Sequence, residues 1–361
     1  MAGLDVSNLT STVQAPINNV YMRGLLSAAR KRLPFFNGTM PGTLEKKGGS
    51  MTVKWRRIEN LTAVTSTLSE ITENGPLAFG AGRTGTKATV TDLTTAVAKI
   101  GNFVLLTEEV DLFNISPITA ALMDTLGANA GESLNLQMST VMKAGTNISF
   151  TGGVANKSAV ATAITLNTIK NAVQNLSRQS AMRFDGAAYG SQNYNSQPIR
   201  SSFFGICHTD VEEDIRGLSG FVGVEQYGGY TQTYPGEFGA VGGVRWTSTE
   251  IAPVETNTST TSASNNFKGD STAFADVYWS FVYGKEAVGS VGVGESFGTQ
   301  ITEMYDPKKP QAVEIIYAPA KAGPADPYGE ISSIAWKAWF GGKILNPNWI
   351  RSIISLATNF R

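Results

Sequence analysis

The sequence predicts an α+β subunit that gains part of its order from neighbouring copies. Three observations point there. An apolar stripe marks one unusually long helix, alternating residues on either side of a polar excursion mark an over-long β-ribbon, and charge is scarce. Charged residues make up 16% of the 361 residues, and 29 Lys and Arg balance 29 Asp and Glu. Ordinary soluble domains carry about 25% charge. Charge is depleted at interface cores because an ion must lose its hydration shell to be buried there.

Neutrality argues against several classes. The chain lacks the cation excess of a nucleic-acid binder and the polybasic run that holds proteins on anionic membranes. Its only cysteine is Cys207 and its only histidine is His208. An intrachain disulfide, a thiolate zinc cage, an HExxH helix and a His-triad metal site are therefore all excluded. Met1 to Asn19 show no basic region followed by an apolar run, so no signal peptide is read. No stretch reaches the ~18 apolar residues of a membrane span. Synthesis and residence in a cytoplasm are expected.

In chain order, residues 1–20 are polar, uncharged apart from Asp5, and aperiodic, as in an arm ordered only by a partner. Leu25, Leu26, Ala29 and Leu33 with Arg23, Arg30, Lys31 and Arg32 predict a short basic helix over Tyr21–Leu33, stopped by Pro34. Met51, Val53 and Trp55 alternate with Thr52, Lys54 and Arg56, the period of a strand. A second alternating run covers Thr86 to Leu106, with Ala96, Ala98 and Ile100 on one side. Arms of ~15–20 residues would reach about 50–65 Å. An isolated two-stranded ribbon is marginal in water, so this one is expected to lie on another subunit.

Ser116-Pro117 is a helix start, followed by Ile118, Leu122, Leu126, Ala130, Leu134, Met138 and Met142 as far as Lys143. That helix would be roughly 40 Å long at 1.5 Å per residue. A second helix is expected over Leu166–Gln179, carried by Leu166, Ile169, Val173 and Leu176. A strand Ser202–Cys207 should lead into a third helix, with Asp210 near its cap and Val211, Ile215 and Leu218 on one face. Strand-like segments follow near Val241–Ile251, Phe274–Val293 and Val313–Ala318. Thr256–Ser271 reads as a mobile loop and Ala318–Gly329 as another. The aromatic-rich Ile331–Leu356 is expected to pack into a core.

Chemistry-bearing motifs are weak. Gly80-Ala-Gly82-Arg-Thr-Gly85 matches GxGxxG, but a dinucleotide site needs a helix after it, and β-like sequence follows. Cys207 and His208 are adjacent on a strand and point to opposite faces, so they cannot form a thiolate–imidazole pair. Glu108-Glu109 and Glu212-Glu213 read as solvated helix-end acids. No catalytic residue, cofactor or metal site is read. Lys54, Arg56 and Arg57 are either a solvated strand face or partners of acids such as Glu70 or Glu73 on a neighbour. The candidate inter-subunit contacts are Lys54, Trp55, Arg56, Arg57, Glu70, Glu73, Phe79 and Arg83.

Five stretches carry a resemblance: Gly48-Gly-Ser-Met-Thr-Val-Lys-Trp-Arg-Arg57, Gly101-Asn-Phe-Val-Leu-Leu-Thr-Glu-Glu-Val110, Lys143-Ala-Gly145-Thr, Gly205-Ile-Cys-His-Thr-Asp-Val-Glu-Glu-Asp-Ile-Arg216 and Ile334-Ala-Trp-Lys-Ala-Trp-Phe-Gly-Gly-Lys-Ile-Leu-Asn346. In order and content the chain resembles the major capsid proteins of tailed double-stranded-DNA bacteriophages, in the branch of the podovirus N-four coat protein. The resemblance covers residues 20–356. It implies the Hong Kong 97-type fold: an N-terminal arm and short helix over 1–45, an extended E-loop hairpin over 46–110, and a peripheral domain with a spine helix over 111–160. An axial domain over 161–330 and a C-terminal segment over 331–361 returning to the core complete it. Gly186–Ser201 and Thr256–Ser271 depart from the pattern as insertions.

The function implied is a structural one. Copies of the chain would self-assemble into pentamers and hexamers of an icosahedral head in the bacterial host cytoplasm. Portal, scaffold or decoration proteins would be partners, and double-stranded DNA would be enclosed without sequence-specific binding. An encapsulin-like compartment is the alternative, and an extracellular β-rich adhesin or hydrolase a more distant one.

Overall fold

The computed structural model describes residues 33–44, 51–59, 61, 88–113, 118–184, 201–226, 236–261, 266–269, 274–293, 313–322 and 326–360. In chain order the elements begin with β1 (Met40–Leu44), β2 (Thr52–Ile58), β3 (Val90–Ala96), β4 (Ala98–Thr107), α1 (Glu108–Phe113), α2 (Ile118–Lys143) and β5 (Ile148–Phe150). Next come α3 (Leu166–Arg178), β6 (Phe203–His208), α4 (Thr209–Arg216), β7 (Val222–Gly223), β8 (Glu237–Val241) and β9 (Val244–Thr249). The chain then forms β10 (Val254–Ser259), β11 (Ala275–Tyr283), β12 (Val288–Val293), β13 (Val313–Ala318), β14 (Ile331–Ile344) and β15 (Ile350–Ser355).

The four-residue stripe becomes α2, whose 26 residues span about 39 Å. Leu126, Ala130, Leu134, Met138 and Met142 are buried along one side. That side packs on a five-stranded sheet of order β1-β12-β14-β13, with β4 on the other edge of β14. β14 organises this sheet because it is long enough for several partners. Its residues 331–340 pair with β4, residues 333–338 take β13 on the opposite edge, and residues 341–344 take β12.

The second sheet has eight strands in the order β5-β15-β11-β6-β9-β8-β7, with β10 added to β11. Its central strands are covered on both faces and read as near-continuous apolar runs, as buried strands do. One face joins the core beneath α2 through Ile206, Trp279, Phe281 and Ile354. The other is covered by α3 and α4, where Ile169, Leu176, Val211 and Ile215 meet Phe203, Trp246 and Val282. Thr165 caps α3 by accepting from the Thr168 amide at 3.3 Å.

Two expectations are corrected. The run Thr86–Leu106 is not one strand, because buried Val97 breaks it. β3 pairs with β2 over residues 52–58 and 90–96, whereas β4 leaves to pair with β14. Residues 98–107 thus share a sheet with β14, although the hairpin was expected to extend over 46–110. The expected loop Thr256–Ser271 begins inside a strand, since β10 pairs with β11 from Val254 to Ser259. Ile331–Leu356 packs into the core as expected, through Ile334, Trp336, Phe340 and Ile354, and does so as two strands, one in each sheet, separated by short turns. Asp210 stands near the cap of α4 as expected, and the cap itself is His208, whose Nδ1 accepts the Asp210 amide at 3.1 Å.

The arm over 1–20, the Tyr21–Leu33 helix apart from Leu33 itself, Ser116-Pro117, Gly80–Gly85 and residues 186–200 lie outside the described residues.

Candidate assembly interface

The β2–β3 ribbon has two chemically distinct faces. Val53 and Trp55 point inward and form a small core with Val97, Val291 and Leu345. The indole lies over two glycines. A Cβ on Gly42 would sit 2.7 Å from Trp55 Cζ2, and one on Gly289 2.9 Å from the same atom. Close approach of this kind requires glycine. Trp55, one of the candidate inter-subunit contacts, docks the ribbon on its own chain. Its alternation with charged neighbours signalled a strand, but the glycines that receive it are far away in sequence.

Arg57 is likewise held at home. Its Nη1 donates to the Leu345 carbonyl at 2.9 Å and its Nε to Glu59 Oε1 at 2.7 Å. On the outward face, Lys54 Nζ lies 2.5 Å from Asp92 Oδ2 and Arg56 Nε 3.0 Å from Asp92 Oδ1. Antiparallel register places Asp92 directly opposite Arg56. Hydrogen bonds from Arg56 and then Lys54 hold the Asp92 carboxyl below its ordinary range, and the same contact raises the Arg56 guanidinium. Two cations share one carboxylate, so these three side chains keep a net positive charge. Glu70, Glu73, Phe79 and Arg83 lie outside the described residues. Beyond Arg56 the ribbon carries an apolar cross-strand pair, Ile58 and Val90, and Leu61 follows three residues after Ile58 in the chain. All three are exposed, Ile58 at 65%.

The five-stranded sheet has a second exposed apolar area. Val104 and Leu106 face α2, so Phe103 and Leu105 face away from it. Ala335 stands between Phe103 on β4 and Ile316 on β13, and Ser333 between Leu105 and Ala318. Phe103 is 63% exposed and Leu105 56%, with Ile316 and Ile331 also exposed. The Trp55 core covers one end of this same face, reaching Trp339. Past Thr107 and Ile331 the chain carries exposed Glu108, Glu109 and Glu330, the Glu108 amide donating to the Glu330 carbonyl at 2.8 Å. Lys99 and Lys337 occupy register positions toward the covered end.

Sequence reasoning missed this face. Phe103-Val-Leu-Leu106 is apolar throughout, so no alternation distinguishes outward from inward residues until register is known.

Groups that could suggest chemistry are used structurally. Cys207 is buried against the Thr247 carbonyl, and burial pushes its thiol well up. His208 lies at the strand end, with Asp210 Oδ2 3.3 Å from its Nδ1. Burial lowers its pKa, opposed by Asp210. Glu212 pairs with Arg216 at 2.6 Å. Among the described residues no group of three or more His, Cys, Asp or Glu side chains gathers as a metal site. No described helix is long and apolar enough to cross a membrane.

No protein-family model and no curated protein sequence matches the chain. Solved structures do. The capsid of Ralstonia phage GP4 is similar with a TM-score of 0.60 at 10% identity, covering 91% of this chain and 93% of that one. The acid-stable capsid of Helicobacter pylori bacteriophage KHP30 gives 0.52 at 12% identity, covering 90% and 91%. The capsid of cyanophage P-SCSP1u gives 0.52 at 11% identity, covering 90% and 88%. At such identities the likeness is one of fold, and it extends over nearly the whole of each chain. The α+β fold of this chain is the phage-capsid fold, of the Hong Kong 97 type that the sequence resemblance implied.

Proposed function

We propose that this chain is the major capsid protein of a bacteriophage, a structural and non-enzymatic subunit whose copies build an icosahedral head. The observation that carries the reading is the fold likeness to phage capsids over about nine-tenths of both chains. Pentamers and hexamers are the oligomers the reading calls for, assembled in the host cytoplasm and enclosing double-stranded DNA in the virion. Portal, scaffold and decoration proteins are its expected partners. The zero formal net charge suits such a shell. A wall rich in unpaired cations would bind phosphates strongly and impede both packaging and release.

The purified chain tests the reading by its mass in solution and by the contents of the particles. Shells of many copies are expected, with nuclease-protected DNA when isolated from infected cells. Particles filled with an enzyme and free of genome would favour a cargo compartment instead. A monomer at micromolar concentration would overturn both.

A further inference from the structure

We infer that the turn His208–Asp210 is an acid-operated latch: while the imidazole is neutral it keeps residues 266–269 and 357–360 against α4, and protonation of the ring releases them. The inference goes beyond the capsid reading and does not depend on it. Four elements build the latch. His208 closes β6, and its Nδ1 accepts the Asp210 amide at 3.1 Å. Asp210 Oδ2 lies 3.3 Å from that same nitrogen and accepts the Tyr278 hydroxyl at 3.1 Å, while Oδ1 accepts the Lys268 ammonium. The Tyr278 ring on β11 is 5.1 Å from the imidazole, and just after β9 the Glu250 backbone hydrogen-bonds the imidazole.

Lys268 ties this turn to residues far along the chain. Its amide donates to the Ala357 carbonyl at 2.9 Å, and the Asn359 amide donates to the Asn266 carbonyl at 2.6 Å. Thr358 forms a bridge with Phe267 and donates its amide to Asp214 Oδ2 on α4 at 2.9 Å. Residues 357–359 are thus gripped by α4 directly and by 266–269, which Lys268 in turn ties to α4. Phe360, 64% exposed, follows this grip.

Protonation sets two cations on one carboxylate. Nδ1 then has no lone pair for the Asp210 amide, and its new N–H faces the Asp210 carboxylate in competition with Lys268. The added charge also sits at the positive end of the α4 dipole. The His208 side chain is 14% exposed and the Lys268 side chain 36%, so the ammonium is the cation that water can take back. The charges acting on the imidazole are Asp210, Lys268 and Glu250; farther out, Asp276 acts on Tyr278 and Glu212 on Cys207. Burial pushes the Asp210 carboxyl up, but Lys268, His208 and Tyr278 outweigh it and leave it lowered. Burial and then Asp210 raise Tyr278, whereas burial lowers His208. Of these three groups only His208 therefore changes charge just below its ordinary value of about 6.5. The latch is closed above that value and opens as pH falls through the lower folded value.

Hydrogen exchange of the purified full chain tests the latch, read by mass spectrometry from about pH 7.5 to about pH 5 with exchange times corrected for the intrinsic effect of pH. Protection of 266–269 and 357–360 should fall about tenfold or more, as expected for one lost charge-assisted hydrogen bond. Protection of α2 and α3 should hold. His208→Asn keeps a capping acceptor that does not titrate, and should keep both segments protected throughout. Lys268→Met leaves the turn itself untouched, and should lose their protection already at neutral pH. Equal protection of the wild type at both ends of the range would overturn the latch. So would a loss in His208→Asn as large as the wild type's, or a neutral Lys268→Met chain as protected as the wild type. Loss of protection in α2 and α3 together with the two segments would also overturn it, because acid would then be unfolding the whole chain. None of these results bears on the capsid reading, which shell formation tests separately.

Discussion

Lys143 Nζ and Glu255 Oε1 lie 2.9 Å apart, tying the last residue of α2 to the eight-stranded sheet. Glu255 Oε2 also holds Lys157 at 2.7 Å, and Trp279 Nε1 donates to Oε1 at 3.2 Å. Both ammonium groups sit over the Trp279 ring, Lys143 at 5.2 Å from its centre. The cation at the end of α2 also meets the negative end of the helix dipole. One carboxylate therefore links the end of the long helix to the second sheet.

Replacing Glu255 with Gln should cost about 1 kcal/mol, because it leaves half-buried Lys143 and exposed Lys157 close together without an anion. Urea unfolding of the unassembled chain measures it. Burial pushes the Glu255 carboxyl up, but hydrogen bonds from Lys157 and Lys143 outweigh that and leave it lowered. Its stabilisation is thus present above the ordinary carboxylate value of about 4.3 and lost as pH falls through the lower folded value. The Gln variant should show less acid destabilisation than the wild type in that window.

Asn135 predicts a second effect. It is fully buried on α2, and its Oδ1 accepts the Phe35 amide at 3.1 Å. Asn135→Leu keeps the number of side-chain heavy atoms and removes both the acceptor and the partnerless Nδ2 donor, leaving the Phe35 N–H unpaired. A loss of about 1–3 kcal/mol is expected, read from the denaturant midpoint. An unchanged midpoint would mean that the chain entering at Phe35 finds another acceptor.

The cap of α4 is sensitive to acid. Nδ1 of His208 accepts the Asp210 amide only when it carries no proton. Burial lowers this pKa, so the native state binds fewer protons than the unfolded chain. The stabilisation is complete above the ordinary histidine value of about 6.5 and is lost as pH falls through the lower folded value. His208→Asn keeps a capping acceptor without titrating. Its melting temperature should vary less across that window than the wild type's. His208→Ala should lose about 0.5–2 kcal/mol at neutral pH.

Trp55→Ala should release the ribbon from its own sheet. The large indole fills the space over Gly42 and Gly289, and removing such a buried ring costs about 3–5 kcal/mol where unfolding is cooperative. Limited proteolysis should then cut near residues 51–59, and particle yield should fall. Resistance equal to the wild type would show that the ribbon is held by other contacts.

Local signals in the sequence were enough for the helices and the first ribbon strand. The stripe from Leu122 to Met142 and the alternation of Val53 and Trp55 each express their own periodicity. Three features depended on long-range pairing and were not legible. β4 could not be separated from the ribbon, because its partner β14 lies more than two hundred residues away. Asp92 could not be assigned to Lys54 and Arg56 without the antiparallel register. Phe103 and Leu105 sit in an unbroken apolar run, so their outward direction emerges only once β14 and β13 are in place. Nothing local to Trp55 announces Gly42 and Gly289 as the seat of its indole.

Electron microscopy of the purified wild-type chain under assembly conditions is the most direct measurement. Closed, symmetric shells with five- and six-fold capsomers are predicted. A population of single, stably folded chains at every concentration and ionic strength would contradict the account.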